Sequence, residues 1–282
     1  MVKVEKLNDI HISRIKVDRK NGWENWVLCI SDVHFDSKYC DRKLLKKTLD
    51  EAKAKNAQIY IFGDLFDCMN GRYDPRGGKA DLRPEYHVKD YFDEIVRDAA
   101  KFFEPYRDNL QLVTYGNHEL SVLGRQEVDV LRNFAEKLNI QLGEYSGFVR
   151  FSFSDRKSAK SSHISVSKLL YFNHGSGGNS PVTRGVIKTN RRQNYISADI
   201  FVSGHIHSEW IVNLPMVSVS QKGIIKKSEQ THISLGTFKD DSFKGGWADT
   251  KEFPPPNMGG CWIKFEYDNS IDNIKSSFIR AN

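Results

Sequence analysis

Two hydrophobic patterns divide the chain. In the first half, short apolar runs alternate with stretches of helical period. Trp26-Val27-Leu28-Cys29-Ile30, Ile59-Tyr60-Ile61-Phe62 and Leu112-Val113-Thr114-Tyr115 are rich in strand-forming residues, and Lys43 to Lys55 sets Leu44, Leu45, Leu49 and Ala52 on one helical face. Residues 88 to 104 carry the strongest helical period: Val88, Tyr91, Phe92, Ile95, Ala99, Phe102 and Phe103 share a stripe that Pro105 ends. A further helix is predicted near 126–138, through Val128, Leu131, Phe134 and Leu138. The pattern then turns to short strands near 148–153, 164–172, 199–203, 210–219 and 261–267. No internal repeat interrupts it, and Gly175 to Pro181 reads as a loop on composition.

Composition narrows the class. A length of 282 residues suits one large domain or two small ones, and 39% hydrophobic with 12% aromatic content excludes general disorder. No apolar stretch approaches the ~18 residues of a membrane span, and the charged start lacks the apolar centre of a secretory signal. A cytoplasmic protein with no membrane partner is therefore expected. Four cysteines without a C-x-x-C pair indicate reduced thiols rather than a zinc knuckle or redox pair. The net charge of +6 admits an acidic partner such as nucleic acid but is small for the chain's length.

The chemistry lies where apolar runs end. Five runs lead directly into polar clusters: Ser31-Asp32-Val33-His34, Gly63-Asp64-Leu65-Phe66-Asp67, Gly116-Asn117-His118-Glu119, Asn173-His174-Gly175 and Gly204-His205-Ile206-His207. Sites form where loops leave the carboxyl ends of strands, so these five ends are expected to converge. Asp32 with His34, and His205 with His207, are two residues apart, which on extended backbone turns each pair to one side. The glycines before Asp64, Asn117 and His205 suit sharp bends. D-x-H alone is expected about once by chance in such a chain, whereas G-H-x-H is far rarer. Five of the nine histidines fall in these clusters. Because the clusters are spread over both halves and must meet, we expect one domain over residues 1–282.

The donors are imidazole nitrogen and carboxylate or amide oxygen without thiolate, which suits Mn²⁺ first and also Fe, Zn²⁺ or Ni²⁺. Two Asp, one Asn and four His, leaving His118 aside, exceed the needs of one tetrahedral ion. Two divalent ions fit better, and such a pair can clamp a phosphoryl group and activate water.

D-x-H, G-D-x-x-D, G-N-H-[DE], a lone His and G-H-x-H in this order resemble the calcineurin-like metallophosphoesterase superfamily, across about two-thirds of the chain. The resemblance implies an α/β fold, a sandwich of two β-sheets flanked by helices in four layers. It implies that Asp32, His34, Asp64 and His207 hold one ion, and that Asp64, Asn117, His174 and His205 hold the other, with Asp64 bridging. His118 would protonate or stabilise the leaving oxygen, oriented by Asp67. G-D-L-F-D resembles the block of bacterial DNA repair nucleases, so hydrolysis of a phosphodiester in DNA is the expected activity, although Phe35-Asp36 departs from their pattern. A phosphomonoesterase is the alternative. The protein phosphatases of the superfamily carry arginines where this chain has Cys68 and Tyr115, and the purple acid phosphatases carry Tyr where it has Asp67. A non-catalytic scaffold is a third reading, opposed by the retention of His118.

Substrate contacts are expected from two places. Arg184, Lys188, Arg191 and Arg192 lie between two metal motifs with no acidic residue among them, and would grip phosphate. The Gly- and Pro-containing stretch 70–87 marks a long loop in which Arg72, Arg76, Arg83, Tyr86 and His87 are candidates for a specificity wall. His11, His87, His163 and His232 carry no motif and read otherwise as structural.

Overall fold

The computed structural model describes residues 3–20, 22–68, 81–155, 165–178, 180, 182–242, 245–250 and 252–282. In chain order its elements are β1 (Val4–Leu7), β2 (Ile10–Lys16), β3 (Glu24–Ile30), α1 (Arg42–Ala54), β4 (Gln58–Phe62), α2 (Tyr91–Phe103), β5 (Leu110–Thr114), α3 (Asn117–Gln126), α4 (Val130–Leu138), β6 (Gln141–Gly143), β7 (Ser146–Ser154), β8 (Ser165–Asn173), α5 (Ile187–Arg192), β9 (Ile200–Ser203), β10 (Trp210–Val219), β11 (Ile225–Ser234), α6 (Trp247–Thr250), β12 (Gly260–Asp268) and β13 (Asn273–Ala281). They build two sheets, ordered β13-β12-β3-β4-β5-β6 and β1-β2-β7-β8-β9-β11-β10.

The continuous apolar runs are strands buried on both faces. In β3, Val27 and Cys29 face the other sheet while Leu28 and Ile30 face helices; in β4, Tyr60 and Phe62 point inward and Ile59 and Ile61 outward. The inter-sheet core joins these inward residues to Phe151, Phe153, Leu170, Phe172, Val202 and Phe265. The opposite face of the first sheet packs on Leu45 and Leu49 of α1, Ile95, Ala99 and Phe103 of α2, and Leu131 and Phe134 of α4. The outer face of the second sheet carries a much smaller cluster of Tyr171, Ala198 and Phe201. The architecture is therefore mixed α/β, two sheets flanked by helices. Parallel pairing of β3, β4 and β5, and of β8 with β9, aligns their carboxyl ends. No described helix is long and apolar enough to cross a membrane.

Several boundaries differ from the sequence pattern. The helix expected near 126–138 is α4 alone, with Asp129 capping it through the Arg132 N–H. A separate α3 begins at Asn117, inside a metal motif. The sequence pattern hid it because its only fully buried residues are Glu119 and Val122. The apolar pattern does not predict β1, β2, β6, β11 and β13: β2 alternates apolar and polar positions, as in Ile10-His11-Ile12-Ser13-Arg14-Ile15, adjacent polar residues break any apolar run in β1, β11 and β13, and β6 is three residues long.

His232, on β11, is buried and stacks flat on Phe201 with ring centroids 4.1 Å apart, and neither ring nitrogen has a hydrogen-bond partner. Burial, helped by the charge of Arg192, pushes its pKa down from 6.5 to about 4. Between those values the unfolded chain binds a proton that the folded chain refuses, so stability falls as pH falls through that window. His232→Phe should flatten this part of the curve. Urea denaturation of both proteins at pH 7 and pH 5 checks it; parallel losses would contradict it.

Candidate metal centre

The five predicted clusters meet at one place, held there by backbone bonds between loops. The Asp32, His34 and Phe35 N–H groups donate to the carbonyls of Gly63, Asp64 and Leu65. His205 N–H donates to Asp32 Oδ2 at 2.9 Å, linking a loop of the second sheet to one of the first. From beyond the motifs, Thr237 Oγ1 at 2.6 Å and Phe238 N at 3.0 Å both donate to the Asp32 carbonyl.

The backbone route differs from the expected one. Asp32, His34, Asp64, His205 and His207 all have positive φ, between 48° and 74°, so the paired residues reach one site through left-handed turns and not along extended strand. Gly63 is required twice over: it has φ +85°, a conformation that glycine tolerates, and a Cβ on it would lie 2.4 Å from His174 Nδ1. Gly116 and Gly204 are required by contact: a Cβ on Gly116 would lie 2.0 Å from Asp64 Oδ1, and one on Gly204 2.3 Å from Asp32 Oδ2.

The donor atoms fall into three groups whose members lie within reach of one another: Asp32, His34 and His207; Asp64, His174 and His205; and His34, Asp64 and His118. Asn117 Oδ1 is 2.7 Å from His205 Nδ1 and so belongs beside the second group. Asp32 Oδ1 is buried with no hydrogen-bond partner, although His207 Nε2 is 3.3 Å away and the Nε2 atoms of His34 and His174 are each 3.9 Å away. His174 Nε2, 3.0 Å from Asp64 Oδ2, is likewise without one. Buried lone pairs converging without donors are what a cation would satisfy, and the nitrogen and oxygen set suits a divalent transition ion. The residues fit a metal.

Outer contacts fix which atom each imidazole presents. His174 Nδ1–H donates to the Phe62 carbonyl at 2.9 Å, leaving Nε2 toward the carboxylates. Burial would depress the His174 pKa, but Asp64 and Asp32 outweigh it and raise it to about 10 in the absence of an ion. Asp32 is held at about 2, because His174 and His207 overcome its burial. Burial instead drives His34 down to about 4.

Asp67 requires a correction. Its carboxylate lies 2.8 Å from His34 Nδ1 and 3.1 Å from Lys239 Nζ, but 3.8 Å from His118 Nδ1. His118 is oriented instead by the Asp67 carbonyl, which accepts its Nδ1–H at 2.5 Å. His118 Nε2 is left free to face the cavity, 3.7 Å from Asp64 Oδ2. Lys239 was not anticipated: it is buried, lines the cavity, and has its charge raised in persistence by Asp67 and Asp241 despite burial. No motif surrounds it. Glu119, given no role from sequence, accepts from Asp64 N, Phe66 N and Gly116 N at 3.2, 2.9 and 2.9 Å, tying two motif loops together.

The centre opens into a cavity of about 510 Å³. Of the substrate candidates, Arg184 and Arg191 are exposed, and Arg192 is partly buried with Nη2 3.5 Å from Asn173 Oδ1; none of the three lines the cavity. Lys188 donates to the Ser176 carbonyl, bracing the loop whose Gly177 and Gly178 do line it. Arg83 is spent on the Ser37 and Cys40 carbonyls and Tyr86 on Asp98 and Arg42, so neither forms the specificity wall; Asp81 reaches the cavity instead. His87 is exposed and outside the lining. Arg72, Arg76 and His163 lie outside the described residues.

The model of the family described as calcineurin-like phosphoesterase matches residues 26–209. No curated protein matches the chain. Among solved structures it is similar to a metallophosphoesterase from Sphaerobacter thermophilus (14% identity, 92% of this chain and 88% of that one, TM-score 0.40). It is also similar to GAP50, the anchor in the inner membrane complex of Plasmodium (14%, 92% and 85%, TM-score 0.42), and to Chaetomium thermophilum Vps29 (10%, 91% and 95%, TM-score 0.36).

Glu119→Ala would leave three buried N–H groups without their acceptor, at about 1–3 kcal/mol for each left unpaired. The expected loss is about 3 kcal/mol or more in urea denaturation, and a value within about 0.5 kcal/mol of the parent would contradict the tie.

Proposed function

The chain belongs to the calcineurin-like phosphoesterase family, and from that premise we propose that it is a two-metal phosphodiesterase acting on DNA. The observation that carries the diester reading is the charge of the cavity. Among its described lining residues Lys239 is the one side chain with a permanent positive charge, and Asp67 at 3.1 Å and Asp241 at 3.9 Å already offset it. A phosphate monoester brings nearly two negative charges and a diester one. A site with no cation to spare beyond its metals favours the diester. Cys68 and Tyr115, standing where phosphate-gripping arginines would be, are both buried; Tyr115 bonds Asp129 at 2.7 Å.

Asp32, His34, Asp64 and His207 would hold one ion, and Asp64, Asn117, His174 and His205 the other. Mn²⁺ is the ion proposed, since the donors include no thiolate and burial keeps the nearby Cys68 thiol protonated. When bound, such ions acidify water and offset charge on a phosphoryl group. The chain's own part is positional. The Asp67 carbonyl holds the proton of His118 on Nδ1, and Nε2 faces the cavity, where in its protonated form it gives a proton to the leaving oxygen. The Asp67 carboxylate fixes the His34 ring from behind. DNA as substrate is supported by the net charge of +6 and by exposed Arg184 and Arg191 on the segment that follows His174.

The Mn²⁺-loaded protein should hydrolyse bis-p-nitrophenyl phosphate faster than p-nitrophenyl phosphate and should cleave DNA, with EDTA abolishing both activities. Preference for the monoester would overturn the diester reading. His118→Ala should lower kcat by about 10²–10⁴ while retaining its metal by elemental analysis. Asp64→Asn should lose both ions together; two ions retained would contradict the bridge.

A further inference from the structure

The cavity over the metal centre has a second wall that the chemistry above does not use. Ala248, Phe253, Pro254 and Pro256 contribute apolar surface to the same lining as His34, His118, His205 and His207. We propose that this wall is a subsite for the base of the nucleotide bearing the scissile phosphate, so that the enzyme takes one unpaired nucleotide at a time. Its substrate class is then single-stranded DNA or a frayed end, not the middle of a duplex. The inference rests on the phosphodiesterase reading and deepens it.

The wall is held in register with the metal residues. Asn257 N–H donates to the His207 carbonyl at 3.1 Å, Asn257 Oδ1 accepts from Glu209 N at 3.0 Å, and the Asn257 carbonyl accepts from Thr237 N at 2.9 Å. Phe253 N–H donates to the Ala248 carbonyl at 3.0 Å. Pro254, Pro255 and Pro256 fix three consecutive φ angles, so the shelf needs little further ordering when a ligand arrives.

Size and charge select the occupant. A cavity of about 510 Å³ is in the range that encloses one small ligand and is far too small for a duplex. An aromatic ring and flat proline faces suit a base, which stacks without regard to sequence. Among the described lining residues no cation is left over for a second phosphate: Lys239 is met by Asp67 at 3.1 Å and Asp241 at 3.9 Å, and Asp81 is paired with Lys38 at 3.6 Å. A neutral base with its one phosphate at the metals satisfies both walls. A polyanionic strand lying along the shelf satisfies neither.

Calorimetry on the Mn²⁺-loaded protein tests this without turnover. Thymidine 5′-monophosphate should bind about tenfold tighter than methyl phosphate, the scale of one stacked base. That ratio should fall close to one in Phe253→Ala and lie between in Phe253→Leu. A parent ratio of one, or a ratio that Phe253→Ala leaves intact, overturns the subsite; a merely structural role for Phe253 would weaken both ligands and preserve the ratio. Hydrolysis of bis-p-nitrophenyl phosphate is read separately. Turnover with equal binding of the two phosphates keeps the phosphodiesterase and removes the subsite. Preference for the nucleotide without turnover keeps the subsite and overturns the phosphodiesterase.

Discussion

Left-handed backbone at five donor-bearing residues is the constraint on which this site depends. Asp32, His34, Asp64, His205 and His207 each occupy a region that costs a side-chain-bearing residue roughly 1 kcal/mol or more. Five such costs are comparable with the net stability of a typical domain, about 5–15 kcal/mol. They persist because the surroundings over-determine them. Loop-to-loop bonds from Asp32, His34 and Phe35, the two donors on the Asp32 carbonyl, and the Glu119 carboxylate beneath Asp64 hold the turns in place. The large inter-sheet core then fixes where those turns can be. Lone pairs are thereby forced together against their mutual repulsion, and a cation is the partner that relieves it.

Much of this was legible in the sequence because it is local. Runs such as Ile59-Tyr60-Ile61-Phe62 are apolar on both faces, which marks a strand between two cores, and each ends in its own donor. Convergence of the motif residues is expected because each follows the carboxyl end of an apolar run, where loops of such sheets form sites. Asp32 with His34 and His205 with His207 do reach the site, but through left-handed turns instead of extended strand, and left-handed φ is invisible in a D-x-H or G-H-x-H string. Likewise, Gly116 and Gly204 read as bends, whereas the contact that requires glycine comes from Asp64 and Asp32, far away along the chain.

What sequence did not disclose is what other segments bring. Lys239 carries no motif and acquires meaning only because the strand before it delivers it beside Asp67. The role of Asp67 was divided in a way no side-chain pattern could announce, its carboxylate serving His34 and its carbonyl serving His118. Arg83 and Tyr86 looked available in a long loop and are committed to the fold. The Phe253-Pro254-Pro255-Pro256 run carries no motif, and nothing along the chain ties it to the cavity. Asn257, through the His207 carbonyl, makes that connection.

Electron paramagnetic resonance of the Mn²⁺-loaded protein tests the proposed paired centre most directly. Two ions sharing the Asp64 carboxylate would be magnetically coupled, so a multiline spectrum from an exchange-coupled pair is expected at full loading. The six-line spectrum of isolated Mn²⁺ at full loading would contradict the account.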